Sequence, residues 1–260
     1  MIRAIAKLLF PPRCKACKRL LPFREIDREE PDVLCHDCKQ LWESERLDVC
    51  GYCGEPVSKC ACMPSELKRA KCELLRKAVY YLPQKQDAVQ NRLLYFAKDH
   101  PSRQIAEFFA RNLETAIREI ISEHCLTPSD TVIVYIPRSR KSVRATGTDQ
   151  SESLAKALSV QTGFDVCPVI VRKPSQNKPQ KSLGVKARMR NAIESYELAQ
   201  GISLKGKNVL LLDDIVTTGA SMAVGVRLLR RAGAKRVFGL VIAYDEANKM
   251  PREAQPKFRI

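Results

Sequence analysis

Apolar residues follow two different spacings along the chain, and these spacings predict alternating helices and strands. Residues 104–124 carry apolar side chains at three- and four-residue steps, as an amphipathic helix requires. Residues 131–136 and 208–212 are instead short, nearly continuous apolar runs. Such runs are typical of strands that are buried on both faces of a parallel sheet. The pattern therefore predicts an α/β fold with a mostly parallel sheet.

The same spacings predict the remaining elements. We expect strands at residues 165–171, 193–198 and 236–244 and helices at 149–162 and 220–232. Residues 66–81 should form a helix or the segment that leads into a strand. Residues 174–190 are rich in Lys, Gln, Ser and Pro, and we expect a long connection there that acts as a lid. No period of 20–50 residues repeats, which excludes a solenoid.

The run at 208–212 ends in two acids and a small, hydroxyl-rich turn. Asp213 and Asp214 are followed by Ile215, Val216, Thr217, Thr218, Gly219, Ala220 and Ser221. Ligands of parallel sheets bind beyond the carboxyl ends of the strands, and the free N–H groups at a helix N-terminus attract phosphate. Adjacent carboxylates can accept hydrogen bonds from two sugar hydroxyls. The sequence therefore predicts a ribose-phosphate site at this strand end.

Two other interpretations fit parts of this segment. A strand followed by an ordinary N-capped helix would use Asp or Thr only to satisfy backbone amides. A Walker B strand of an ATPase also ends in acids, but the chain contains no G-x-x-x-x-G-K-[ST] motif to hold the nucleotide phosphates. Two consecutive acids at the strand end favour the ribose-phosphate site.

Eight of the eleven cysteines form four close pairs in the N-terminal quarter of the chain. One possible set of four is Cys14, Cys17, Cys35 and Cys38, and the other is Cys50, Cys53, Cys60 and Cys62. Paired cysteines at such spacings are typical of zinc ribbons, although the Cys-x-Cys pair makes the second set tighter. We therefore expect one or two structural zinc ions in a double zinc-ribbon module at residues 1–64, followed by an α/β domain at 65–260.

The positive charge lies in the second part of the chain. Of 45 Lys/Arg and 29 Asp/Glu, residues 1–62 hold 11 and 10, which leaves 34 and 19, an excess of 15 positive charges, for residues 63–260. One basic window contains Arg138, Arg140, Lys141 and Arg144, and a second spans residues 172–190. These cations can hold pyrophosphate or a nucleic-acid backbone, and charge alone does not choose between them. The second window can also be a solvated loop.

The first ten residues contain apolar side chains interrupted by Arg3 and Lys7. This segment is too short and too charged for a signal-peptide core or a membrane span. Paired cysteines without a secretory segment are typical of metal binding in a reducing compartment. We therefore expect a cytoplasmic protein with no membrane span.

Four blocks, in the same order, resemble the ComF family of competence proteins. They are the cysteine pairs, Pro137-Arg138 with residues 147–155, Lys178-Pro179-Gln180 with Arg188-x-Arg190-Asn191, and residues 208–221. The last block is similar to the PRPP-binding motif of type I phosphoribosyltransferases. In the second block, Thr148 and Asp149 stand where the family has Phe-Asn.

The resemblance implies a type I phosphoribosyltransferase fold joined to a zinc ribbon, and a role in handling incoming single-stranded DNA during natural transformation, with a helicase or another DNA-uptake partner. It places Asp213 and Asp214 on the ribose hydroxyls, residues 215–221 around the 5′-phosphate, and Arg138 and Arg140 near pyrophosphate, with Mg²⁺ accompanying PRPP. The implied flexible loop contains Lys178, Gln180, Lys181, Arg188, Arg190 and Asn191. Several such enzymes carry an acid that acts as a base where Thr217 stands here, and threonine cannot do this.

Three functions therefore remain open. The favoured hypothesis is a protein that handles single-stranded DNA and keeps a pocket for PRPP or another ribose 5-phosphate. The second is an active phosphoribosyltransferase that transfers ribose 5-phosphate from PRPP to an unidentified acceptor. The third is a regulator that senses PRPP without turning it over. The first is favoured because no general base follows the acids.

Overall fold

The centre of the molecule is a parallel sheet of five strands. The computed structural model describes residues 11–22, 32–173 and 185–245. The sheet contains, in the order β1-β7-β6-β2-β3, β1 (Leu75–Tyr81), β7 (Arg236–Asp245), β6 (Asn208–Val216), β2 (Thr131–Tyr135) and β3 (Asp165–Val166). All four pairings are parallel. A separate antiparallel pair consists of β4 (Ile170–Arg172) and β5 (Tyr196–Leu198). The predicted α/β fold is confirmed.

Eight helices connect and cover these strands in the described ranges. They are α1 (His36–Arg46), α2 (Ser65–Arg69), α3 (Val89–Asp99), α4 (Arg103–His124), α5 (Arg140–Thr146), α6 (Gln150–Thr162), α7 (Val185–Ser195) and α8 (Ala220–Arg231). At the start of α4 the Ser102 hydroxyl accepts a hydrogen bond from the Ile105 N–H. At the start of α6 the Asp149 carboxylate accepts one from the Ser151 N–H. These caps satisfy amides that lack an intrahelical acceptor, which explains where both predicted helices begin.

Strand β6 is buried on both faces, as its apolar run predicted. Leu210 and Leu212 belong to an apolar cluster with side chains of α3, α4 and α6, while Val209 and Leu211 belong to a second cluster with side chains of α8. Residues that alternate along a strand point to opposite faces, so a strand between two helical layers must be apolar throughout. The two acids that follow therefore interrupt a hydrophobic layer at its edge.

The cysteine-rich segment shares the core of the α/β domain. Trp42 on α1 is fully buried, and its indole Nε1–H donates to the Asn112 Oδ1 at 2.7 Å. Its ring centroid lies 5.3 Å from that of Phe108 and 6.0 Å from that of Phe109, both on α4. Cys14 and Cys38 belong to the same apolar cluster as Leu210. The N-terminal segment therefore packs firmly onto the helical layer, and the division at residue 64 stays a prediction.

Three details of the predicted element pattern were wrong. The expected strand over 165–171 is two short strands in different sheets, because Pro168 has no N–H to continue a ladder. The strand expected at 193–198 begins only at Tyr196, since α7 continues to Ser195. Part of the expected lid, residues 185–190, is helical, and residues 174–184 lie outside the described residues. Helix α7 forms because Met189 and Ala192 pack into the apolar cluster that contains α8.

Candidate ribose-phosphate site and cysteine clusters

A cleft of about 280 Å³ opens at the carboxyl end of β6. It is lined by Arg172, Arg188, Asn191, Ala192, Ser195, Tyr196, Asp213, Ile215, Val216, Thr217, Thr218, Gly219, Ala220, Ser221 and Met222. Predicted phosphate-loop residues 215–221 thus surround one space together with Arg188 and Asn191 of α7. Amides of the first turn of α8 have no intrahelical acceptor, and the positive end of the helix dipole lies at the same place. The cleft therefore offers N–H groups, hydroxyls and cations to a phosphate.

Gly219 shapes the predicted phosphate loop, and its position favours glycine. Its φ angle is +76°, in the left-handed region, and it precedes α8 as the N-cap. A Cβ atom here would lie 3.1 Å from the Pro64 Cγ and 3.3 Å from the Leu67 Cδ1. Both the backbone conformation and the close approach require glycine. The phosphate loop consequently rests directly on the segment that leaves the cysteine-rich region.

The two acids of the motif point in different directions. Asp213 lines the cleft, whereas the Asp214 Oδ2 lies 3.6 Å from the Nζ of Lys98 on α3. The Asp214 N–H donates to the Asp213 Oδ1 at 2.9 Å, and the Ile215 N–H donates to the Asp214 Oδ1 at 2.7 Å. Burial, together with the neighbouring Asp214 charge, raises the pKa of Asp213 well above its ordinary value. Of the predicted acid pair, the cleft lining contains Asp213 alone.

Arg138 and Arg140 line a neighbouring cleft of about 400 Å³, which also contains Arg144 and Asp149. The Arg138 N–H donates to the Asp149 Oδ2 at 2.7 Å. Burial raises the pKa of Asp149, while this hydrogen bond favours the ionised form. The side chain that replaces the family's Asn therefore caps α6 and positions Arg138. The structure does not bring Arg138 or Arg140 into the phosphate-loop cleft, but Arg172 lines both spaces.

The predicted flexible-loop residues are divided by the structure. Arg188 and Asn191, three residues apart on α7, both line the cleft. Arg190 is exposed on the same helix and is not part of the cleft lining. Lys178, Gln180 and Lys181 lie outside the described residues.

Comparison with known proteins accounts for this arrangement. The phosphoribosyl transferase domain family matches residues 110–260, which is more than half of the chain. The chain belongs to this family. Competence protein ComFC of Bacillus subtilis is 25% identical over 222 residues, covering 81% of this chain and 84% of that protein. Competence protein F of Haemophilus influenzae is 25% identical over 218 residues, covering 81% and 90%.

A shorter similarity is to the adenine phosphoribosyltransferase of Desulforamulus reducens, which is 35% identical over 69 residues, or 26% of this chain and 40% of that one. The two competence proteins thus match four-fifths of the chain. The resemblance to the ComF family is confirmed, and so is the type I phosphoribosyltransferase fold with a mostly parallel sheet.

Three side chains near the cleft of this phosphoribosyl transferase domain were not singled out by the sequence. Lys98 pairs with Asp214, and the Arg172 Nη2 donates to the Tyr196 hydroxyl at 3.2 Å. The Arg172 guanidinium carbon also lies 5.0 Å from the Tyr196 ring centroid. In the sequence, Arg172 was only one of several cations in a basic window. Lys98 lies in the last turn of α3, where no motif marks it. Only the pairing of β4 with β5 brings Arg172 to Tyr196.

The eight paired cysteines form two compact clusters. One contains Cys14, Cys17, Cys35 and Cys38, the other Cys50, Cys53, Cys60 and Cys62, and within each cluster the sulfur atoms all lie within 4.8 Å of one another. The Cys17 and Cys35 sulfurs are 3.6 Å apart. Zn–S bonds of about 2.3 Å in a tetrahedron place sulfurs about 3.8 Å apart, so four thiolates at these positions fit a structural zinc ion. Zinc would cross-link each ribbon and leave no ligand position open for chemistry.

Every helix in residues 11–22, 32–173 and 185–245 is too short or too polar to span a lipid bilayer.

Proposed function

We propose that this protein binds PRPP or another ribose 5-phosphate in the cleft at the carboxyl end of β6, and that it handles single-stranded DNA during natural transformation. The observation that carries the first part is the common lining of the cleft by Thr217, Thr218, Arg188 and Asp213. Support for the second part comes from the competence proteins that match four-fifths of the chain. A cytoplasmic location and a DNA-uptake partner such as a helicase belong to the same proposal.

The chemistry of the cleft suits a ribose 5-phosphate. Thr217 and Thr218 hydroxyls, with the first-turn amides of α8, would donate hydrogen bonds to the 5′-phosphate. The Asp213 carboxylate would accept hydrogen bonds from a ribose hydroxyl. Arg188 and Arg172 would face the pyrophosphate of PRPP from the other side of the cleft, as charge-assisted donors. Each ligand group thus meets a complementary group of the protein.

Magnesium fits the acidic side of this cleft. Mg²⁺ prefers carboxylate and phosphate oxygens. Burial and the Asp214 charge raise the pKa of Asp213 in spite of the nearby Lys98, so a further cation beside Asp213 would favour its ionised form. Asp213 would hold the ion, directly or through water, and the ion would supply positive charge to the pyrophosphate. Asp214 would take part only if it left Lys98.

Calorimetry with PRPP and Mg²⁺ tests the first part. Replacing Arg188 by Met should weaken PRPP binding by about 10- to 100-fold, because hydrogen bonds to charged groups contribute about 1.5–3 kcal/mol. Arg190→Met is the matched control, since Arg190 lies on the same helix but not in the cleft lining. Equal weakening by both variants, or no binding of PRPP to the unmodified protein, would refute the proposed pocket.

A salt titration with labelled single-stranded DNA tests the second part. The excess of 15 positive charges on residues 63–260 should make DNA binding fall steeply as salt rises, because binding releases counterions. PRPP is then added as a competitor, to the unmodified protein and to the Asp213→Asn/Asp214→Asn variant. Mutual exclusion would place both ligands on one surface. Absence of DNA binding at low salt would remove the DNA-handling role and leave the PRPP pocket standing.

An active phosphoribosyltransferase is the second candidate. The observation in its favour is that an acid and two arginines, Asp213, Arg172 and Arg188, face the same cleft. Such an arrangement can hold the sugar while cations stabilise the departing pyrophosphate. Release of pyrophosphate from PRPP in the presence of candidate acceptors would distinguish this enzyme from a protein that only binds PRPP.

A further inference from the structure

Lys77 is a cation buried beside the second cysteine cluster. It lies on β1 with 1% of its surface exposed, and it is the one charged residue among the largest fully buried side chains of the described ranges. Its Nζ donates to the carbonyl oxygen of Cys62 and interacts with the side chain of Cys60. The same Nζ lies 4.7 Å from the ring centroid of Tyr244. No Asp or Glu within residues 11–22, 32–173 or 185–245 forms an ion pair with it.

The neighbouring residue on β1 shows what is unusual about Lys77. Arg76 is also buried, but its Nη2 lies 3.3 Å from the Glu119 Oε2, so its charge is met by a carboxylate. Removing an ammonium group from water is unfavourable unless an opposite charge compensates it. The Lys77 Nζ instead reaches the backbone carbonyl of Cys62 in the second cysteine cluster, and the thiols of Cys60, Cys62 and Cys50 favour its charged form.

A zinc-loaded cluster would supply the missing negative charge. Four thiolates and one Zn²⁺ ion carry a net charge of −2, and the second cluster contains Cys60 and Cys62, both next to Lys77. Among residues 11–22, 32–173 and 185–245, no buried cation lies beside the first cluster. Two cations do lie beside it, Lys18 near the Phe96 ring and Arg19 at the Cys17 thiol, but both are exposed to solvent. The two clusters therefore differ in their electrostatic surroundings although their sulfur geometry is alike.

We propose that Lys77 is the built-in counter-ion of the second cluster when that cluster holds zinc as four thiolates. Its ammonium group stabilises the net negative metal centre and, through the Cys62 carbonyl, fastens residues 50–62 to β1. Zinc binding at this cluster and docking of residues 50–62 onto the sheet are therefore coupled, because both depend on the ammonium group of Lys77. The inference does not depend on the ribose-phosphate cleft, so it can fail or hold independently of the proposed function.

The test counts zinc ions on the full chain in a series of zinc-buffered solutions by native mass spectrometry. Alkylation of free thiols, followed by peptide mapping, shows which cluster has lost its ion. Lys77→Met removes the charge and keeps the chain length, Lys77→Arg keeps the charge, and Lys59→Met removes an exposed charge from the same ribbon. Mutation of a side chain that contacts a metal ligand typically lowers metal affinity by about 10- to 100-fold. Lys77→Met should therefore weaken zinc binding at the second cluster by about that factor.

The expected pattern is specific to one cluster. Unmodified protein and Lys59→Met should hold two zinc ions, while Lys77→Met exposes Cys50, Cys53, Cys60 and Cys62 to alkylation and keeps the other four protected. Unchanged affinity of both sites in Lys77→Met, or a second cluster that is empty in the unmodified protein, would overturn the proposal. Alkylation of buried Cys72 would report global unfolding of Lys77→Met. If Lys77→Met unfolds, the Lys77→Arg variant provides the test. Two zinc ions bound to Lys77→Arg would support the counter-ion role, and loss of the zinc ion from the second cluster would contradict it.

Discussion

The cleft at the carboxyl end of β6 and the second cysteine cluster balance their charges in different ways. In the cleft, Asp213 is held with a raised pKa while Arg172 and Arg188 face the space from another element. In the cluster, the ammonium group of Lys77 donates to the carbonyl of Cys62, one of the residues whose thiols would become anionic with zinc. Charged side chains that face an open cleft are typical of a site for an exchangeable ligand. A cation that contacts the residues of a closed four-cysteine cluster is instead typical of a structural metal centre.

Zinc removal should have the largest effect, because a structural centre contributes to folding itself. Chelation should unfold the cysteine-rich segment, since structural zinc contributes on the order of 10 kcal/mol in small zinc modules. Trp42 is the sole tryptophan and is fully buried against α4, so its emission should shift to longer wavelength. Zinc-saturated chelator is the control. An unshifted spectrum after both ions have left would show that the segment folds without metal.

Gly219→Ala should have the next largest effect. A non-glycine residue at a φ of +76° costs about 1–2 kcal/mol, and the new Cβ would press on Pro64 at 3.1 Å. Gly201→Ala is the matched control, because Gly201 has a φ of +72° but nothing within 4 Å of a Cβ. Denaturant unfolding should therefore show a larger loss of the free energy of unfolding for Gly219→Ala than for Gly201→Ala. Calorimetry should show weaker PRPP binding for Gly219→Ala and unchanged binding for Gly201→Ala. Equal losses in both would mean that the contact with Pro64 is unimportant.

Asp213→Asn should stabilise the protein while it weakens binding. Burial and the Asp214 charge raise the pKa of Asp213 in the folded state, so ionising this group opposes folding. That cost is absent below the ordinary pKa of about 4 and is complete once the pH exceeds the raised folded-state value. The free energy of unfolding of Asp213→Asn should therefore exceed that of the unmodified protein at pH 8, and the difference should shrink as the pH falls.

Asp130→Asn is the control of opposite sign. The Thr131 hydroxyl, with the Thr127 backbone, lowers the pKa of Asp130 to about 2, so its ionised form favours folding above pH 4. The Asn variant should be less stable than the unmodified protein at pH 5 and at pH 8 alike. A loss of stability for Asp213→Asn at pH 8 would contradict the conclusion that burial and the Asp214 charge oppose ionisation of Asp213.

Lys98→Met should have the smallest effect on stability. The Lys98 and Asp214 side chains are 32% and 15% exposed, and such ion pairs contribute about 1 kcal/mol or less. Without Lys98, no cation of the described residues pairs with the Asp214 carboxylate, so Mg²⁺ should raise the thermal unfolding temperature more than in the unmodified protein. Arg118→Met, which removes an exposed pair with Glu114, should leave the Mg²⁺ effect unchanged. If Mg²⁺ changed the thermal unfolding temperature equally in all three proteins, Mg²⁺ would not be replacing Lys98 as the partner of the Asp214 carboxylate.

Local patterns predicted much of this molecule. The apolar run before Asp213, the hydroxyl-rich turn with Gly219 and the paired cysteines are short-range features, so their spacing alone indicated a strand, a phosphate loop and zinc ribbons. The break at Pro168 also had a local signal, the missing N–H, which the apolar pattern obscured. Arg188 and Asn191 were identified as candidates, but the helix that carries them depends on packing against α8, which no local spacing reveals.

Short-range patterns in the sequence were enough to predict the α/β class, the strand end that bears the acids and the two sets of cysteines, because each depends on residues close together in the chain. Three contacts could be seen only in the folded molecule: Asp213 and Asp214 have different neighbours, Arg172 meets Tyr196, and Lys77 donates to the carbonyl of Cys62. These outcomes depend on strand pairing and on helices packed across the sheet. Such contacts join distant segments, so the charge that finally surrounds a side chain cannot be read from its own stretch of sequence.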